Sequence, residues 1–135
     1  MTGLDLARRA VASPGWRWLR GMLTDTGIRV IGVGVHNGQP FILGHVVGNL
    51  ALDRYYTNPP LFAPDLDDPA TLGAIEHGLL APAGVWVERV QTAALRVACI
   101  ARTADGAFAA GPVPLLEHYR DTLAAALVDG LEAVP

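Results

Sequence analysis

The chain contains no lysine. All ten of its basic residues are arginine, and alanine, glycine and proline are used heavily. So uniform a composition points first to a GC-rich coding genome. It points second to anion recognition, which a planar guanidinium performs with paired hydrogen bonds that an ammonium cannot make. A single cysteine, Cys99, leaves no internal disulfide to form, so a reducing compartment is expected. No apolar run approaches the roughly 18 residues of a membrane span, because Arg, Asp, Asn or Gly interrupts every candidate. Nor do Leu4 to Arg9 resemble the apolar core of a secretory signal. The expectation is a cytoplasmic protein that stays in water. A net charge of −3 and a pI near 5.7 give it no overall field towards nucleic acid or an anionic membrane.

What remains is a folding composition, 51% hydrophobic and 17% charged over 135 residues. A single domain of that length buries roughly two-thirds of its unfolded surface. Residues Leu4 to Ala12 place Leu4, Ala7 and Val11 on one side at helical spacing, until Ser13-Pro14-Gly15 stops the run. Trp16-Arg17-Trp18 alternates and reads as a strand. So does Ile28 to Val35, with Ile28 and Val30 on one face and Ile31, Val33 and Val35 on the other. Asn37-Gly38 supplies the positive φ angles of a tight hairpin turn, and the return strand runs from Pro40 to Gly44 or on to Val47.

Asn49 to Leu66 is irregular, broken by Asn58-Pro59-Pro60 and Ala63-Pro64, and reads as an ordered surface loop. Asp68 before Pro69 has the form of a helix N-cap followed by the residue favoured at the first helical position. Leu72, Ile75, Leu79 and Leu80 form the buried stripe of that helix, and Ala81-Pro82-Ala83-Gly84 ends it. Strands follow at Val85 to Val90 and Leu95 to Ala101, then a second hairpin signal at Asp105-Gly106 with a short strand to Ala110. A last helix opens at Pro114 and carries Leu116, Tyr119, Leu123, Leu127 and Leu131. The fold class expected is α+β: one domain spanning residues 1–135, with an antiparallel sheet built from hairpins and N-terminal, middle and C-terminal helices packed on it.

Reactive constellations are scarce. His36, His45, His77 and His118 fall on four separate elements without the short spacings of a metal site, so no metal or cofactor is expected. Asp65, Asp67 and Asp68 lack the glycine and distal glutamate of a calcium loop and read as helix-capping acids. Cys99, inside an apolar strand, reads as a small buried hydrophobe. No catalytic set emerges. Two clusters look like binding surface instead. Trp16, Arg17, Trp18 and Arg20 combine indoles for stacking on a planar ligand with guanidinium groups for an anion. Arg54, Tyr55, Tyr56 and Asn58 repeat the mixture in the irregular segment.

Leu6-Ala7-Arg8-Arg9-Ala10-Val11, Gly15-Trp16-Arg17-Trp18 with Gly21-Met22, and Pro64-Asp65-Leu66-Asp67-Asp68-Pro69-Ala70-Thr71-Leu72-Gly73 together resemble small uncharacterised proteins of tailed bacteriophages and prophages. The closing Leu123-Ala124-Ala125-Ala126-Leu127 is similar to theirs as well. Where those proteins tend to carry Met-Pro-Gly-Met after the tryptophans, this chain has Leu19-Arg20-Gly21-Met22. The resemblance implies a setting, a phage accessory product in the cytoplasm of an infected bacterium, and no catalytic residue. The expected function is therefore non-enzymatic binding of a host or defence component, in one version the sequestering of a nucleotide-derived immune signal by the two Arg and aromatic clusters. The expected partners are a small anionic or nucleotide-like ligand or a host protein, with no membrane and no strong nucleic-acid signal. The alternative is a small homo-oligomeric virion structural or assembly protein. Homo-oligomerisation fits the high hydrophobic fraction.

Overall fold

Asn37 and Gly38 adopt φ angles of 50° and 76°, the left-handed values that a two-residue turn needs to match the twist of its strands. They join β1 (Ile28–His36) to β2 (Gln39–Val46), which pair antiparallel. The chain is seen in a computed structural model, and the residues described are 3–48, 53–56, 62–91, 97–103 and 122–134. Before the hairpin lies α1 (Gly3–Ala12). After it, β3 (Asp53–Tyr56) pairs with β2 from Ile42 to His45, so the first sheet has the order β1-β2-β3. Helix α2 (Pro69–Gly73) runs on through π-helical turns, Ala74–Leu80, and a 3-10 turn, Ala81–Ala83. A second antiparallel pair, β4 (Val85–Gln91) with β5 (Val97–Thr103), precedes α3 (Leu123–Ala133). The fold is α+β, the described strands divided between two sheets.

The core sits where α3 packs on β4, β5, α1 and the π-helical segment. Met22, Val30 and Ile42 from the N-terminal half meet Ile75, Leu80, Leu127 and Leu131 there, all fully buried. Each such aliphatic side chain contributes roughly 1.5–3 kcal/mol by leaving water. On β4, Val85 and Val87 point inward while Trp86 is exposed, which is the period-two pattern of the sequence.

Several local expectations are corrected. Trp16-Arg17-Trp18 forms no strand. The segment that pairs with β1 is the one just after it: Gly21 N donates to Val30 O at 2.8 Å, Val30 N to Met22 O at 2.8 Å, and Thr24 N to Ile28 O at 2.9 Å. A three-residue alternation carries too little pattern to decide which stretch wins an edge. Val33 and Val35 do not oppose Ile28 and Val30. The β1–β2 register places Val30 across from Gly44 and Gly32 across from Leu43, leaving Ile31 as an extra residue, and this bulge reverses the parity of the strand. Val33 and Val35 thereby join the face of Ile28 and Val30, where the hairpin outruns the core and leaves them 50% and 71% exposed. In α1 the buried side centres on Ala7 and Ala10, with Leu4 exposed.

The segment expected as a loop contains β3, because Tyr55 and Tyr56 find ladder partners on β2 that no local pattern announces. The described part of the last helix, α3, begins at Leu123, and the opening expected at Pro114 lies outside the described residues. Thr122 is extended (φ −124°, ψ 149°), and its hydroxyl caps the helix by accepting from Ala125 N at 3.2 Å. Leu116, Tyr119 and His118, together with the Asp105-Gly106 hairpin and its strand, lie outside the described residues.

Candidate functional site

The two tryptophans of the first cluster are held as a corner. Their ring centroids are 5.2 Å apart and their planes cross at 84°, an edge-to-face contact favoured by the indole quadrupole. Trp18 is 7% exposed and belongs to the core. Trp16 packs against it half-buried, and its indole N–H is sealed from solvent with no acceptor among the described residues. A buried donor left unmet costs about 1–3 kcal/mol, which the packing of the ring on Trp18 and the core has to offset.

A groove of about 450 Å³ opens beside this corner. One wall is Trp16, Arg17 and Trp18 with Val11 of α1, and the facing wall is the β1–β2 hairpin, chiefly Val33, Val35, Pro40 and Ile42. The bulge at Ile31 makes the second wall, since it turns the two exposed valines towards the tryptophans. Arg17 supplies the charge. It is exposed and, among the described residues, has no ion-pair partner; the same holds for Arg20, two residues past Trp18 and not part of the lining. The volume lies in the range of small-molecule and peptide clefts.

The second cluster is divided by its strand. Tyr56 lies across from Ile42 and shares the groove face with Arg54, whereas Tyr55 points to the opposite face. Tyr56 stacks edge-on against Phe62 with centroids 5.3 Å apart. Tyr55, 70% exposed, meets Phe41 at 5.5 Å. Tyr56 therefore stands one strand away from the groove wall, and Arg54 and Tyr55 do not line it. Asn58 lies outside the described residues.

Compared with models of known families, with curated proteins and with solved structures, the chain matches none. Its site therefore has to be read from chemistry.

The acids near α2 serve the fold. Asp68 accepts from Thr71 N at 2.9 Å as the helix cap and from Thr71 Oγ1 at 2.8 Å, and Arg29 holds it with a bond of 2.7 Å. The Arg29 guanidinium, with help from Thr71, keeps the Asp68 carboxyl below the usual carboxylate range against the opposing effect of burial. Asp65 closes its own turn by accepting from Asp67 N at 3.0 Å. Among the described residues no three His, Cys, Asp or Glu side chains are placed to hold a metal ion.

One pair went unseen in the sequence. His45 Nδ1 lies 2.7 Å from Asp53 Oδ1, and Nε2 has no hydrogen-bond partner among the described residues. The two residues are neighbours only because β3 pairs with β2, and no local pattern in residues 49–66 signals that pairing. His45 also occupies the sheet face opposite Ile42 and Val33. This pair and the groove are on different sides of the sheet and do not form one site.

Proposed function

We propose that the protein is a binding module without catalytic chemistry, a phage or prophage accessory product that captures a component of its bacterial host or of the host's defences in the groove between Trp16–Trp18 and the first hairpin. The observation that carries this reading is the composition of the groove: a right-angled pair of indoles, a facing wall of exposed valines, and one guanidinium with no partner among the described residues. Such walls stack and desolvate a ligand and fix one anionic group, and they bring no base or nucleophile to bear on it. The His45–Asp53 pair faces away, which supports capture over turnover.

The ligands to test are the small planar anions that indoles and a guanidinium suit, including nucleotide-derived immune signals, and peptides bearing an acidic residue. Isothermal titration of the full chain against cyclic nucleotides, ADP-ribose derivatives and short acidic peptides is the experiment. Heat that disappears in Arg17→Ala supports the groove as the site. Silence towards every member of the panel would overturn the proposal.

A second reading, a homo-oligomeric virion or assembly component, draws support from the exposed Val33 and Val35 on one face of the first sheet, Tyr55 on the other and Val47 just past β2. Light scattering of the full chain and mass spectrometry of purified particles address it. A monomer absent from the particle excludes it.

A further inference from the structure

Among the described residues, the outer edge of β1 is paired along only half of its length. Antiparallel ladders alternate residues whose N–H and C=O face the partner strand with residues whose groups face away. On β1 the outward residues are fixed by what they bind on the side away from β2: Val30 O accepts from Gly21 N and Val30 N donates to Met22 O, while Ile28 O accepts from Thr24 N and Ile28 N donates to Thr24 Oγ1. Past the bulge the alternation resumes with Gly32, Gly34 and His36 facing β2, so Val33 and Val35 aim their N–H and C=O groups outward. Pro40, across from Val35, fits this phase, because a residue with no N–H is tolerated where the group would point out of the pair. Among the described residues nothing meets the outward groups of Val33 and Val35. The chain that covers the first half of the edge leaves it before this point, and Trp16–Trp18 stands off to form the far wall of the groove.

We infer that the groove receives an extended peptide segment of a partner protein, which adds as a strand to β1 at Val33 and Val35 and carries an acidic residue for Arg17. This deepens the proposed binding function and rests on it. Strand addition uses main-chain hydrogen bonds for affinity and pockets under alternate side chains for selection, and both are present. The outward groups of Val33 and Val35, unmet among the described residues, supply the first. The space between the Trp16–Trp18 corner and Val33, Val35 and Ile42 supplies the second, for an apolar or aromatic side chain on the inward face of the incoming strand. Charge decides between a partner and a second copy of this chain. A copy pairing edge to edge would offer Ile31 to His36, a stretch with no carboxylate, and would leave Arg17 unanswered. An acidic strand answers it.

The test uses the full chain and a ten-residue capped peptide that alternates valine and threonine and bears one phenylalanine and one glutamate. Tryptophan emission reports binding, and amide hydrogen exchange reports which backbone groups become protected. The expected result is saturable binding, protection of the Val33 and Val35 amides, about tenfold weaker affinity after Arg17→Ala or after glutamate to glutamine in the peptide, and loss of binding when the peptide backbone is N-methylated at alternate positions. Because the methylated peptide alters only the ligand, it cannot be confused with a folding defect. Equal binding of the methylated peptide, or saturation without protection at Val33 and Val35, overturns strand addition. So does protection of these amides in a peptide-free dimer, which would give the edge to a second copy. A peptide that fails while a nucleotide ligand binds in an Arg17-dependent way sinks this inference and leaves the binding function standing; failure of both removes the two together.

Discussion

Arg29 of β1 and Asp68, the cap of α2, are joined at two points, Nη1 to Oδ2 at 2.7 Å and Nη2 to Oδ1 at 3.3 Å, although 39 residues separate them. The same Nη1 also donates to Gly21 O at 2.9 Å, and Thr71 Oγ1, bonded to Asp68, accepts from Leu23 N at 2.9 Å. One carboxylate thus fixes the start of the middle helix, the first sheet and the segment leading out of the groove. Asp68→Asn keeps the shape and removes the charge, and is expected to cost about 2 kcal/mol in urea unfolding, since it weakens a cap and leaves Arg29 without its counter-ion.

The pH dependence follows from the same contact. Because Arg29 lowers the folded-state pKa of Asp68 below its unfolded value, this contact contributes its stability in full above about pH 5, past the ordinary aspartate value of about 3.9. The contribution is lost as pH falls through that value and then through the lower folded one. Urea midpoints measured between pH 7 and pH 3 should drop more steeply for the native chain than for Asp68→Asn. Parallel curves would show that the contact does not contribute.

Two glycine-to-alanine changes should have opposite signs. A Cβ on Gly44 would sit 2.3 Å from Ile28 Cγ2 and 3.2 Å from the Tyr56 ring, and a β-branched neighbour cannot swing aside, so Gly44→Ala should cost about 1–3 kcal/mol. Gly73 is helical (φ −62°, ψ −40°) with nothing within 4 Å of the added methyl, so Gly73→Ala should stabilise by about 0.5–1 kcal/mol. Thermal unfolding of the two variants side by side checks both.

Arg17 and Trp18 are adjacent in sequence and different in duty. Trp18→Ala opens a cavity in the core and should cost about 3–5 kcal/mol. Among the described residues the exposed Arg17 side chain faces the groove and makes no ion pair, so Arg17→Ala should leave stability within about 0.5 kcal/mol while weakening ligand binding about tenfold. A large stability loss in Arg17→Ala would contradict the position of this side chain.

Cys99 is 4% exposed, and burial pushes its thiol pKa up, with Glu76 adding to the shift and Arg89 opposing it. A disulfide reagent at pH 8 should therefore modify the native chain far more slowly than the chain in guanidinium chloride, because the thiolate is both scarce and covered. Equal rates would show that the strand opens freely.

The elements legible in the sequence are those whose signal is local. Asn37-Gly38 announced its turn because few residues tolerate positive φ, and Asp68-Pro69 announced its helix because cap and first position are chemically distinctive. Both tryptophans and Arg17 stand out in the sequence by their chemistry, and all three line the groove. Arg54, Tyr55 and Tyr56 stand out in the same way, and what separates them is strand register, which puts alternate residues on opposite faces.

By itself, then, the sequence determined the turns, the caps and the presence of two Arg and aromatic clusters, since each depends on the conformational and hydrogen-bonding preferences of a few neighbouring residues. Only the tertiary structure decided the pairing of β3 with β2, the bulge at Ile31 that turns Val33 and Val35 towards Trp16 and Trp18, and the meeting of His45 with Asp53. The reason is physical. A one-residue slip in a ladder exchanges every side chain between faces, and the energy that selects the register comes from packing between distant segments, which no short window of sequence contains.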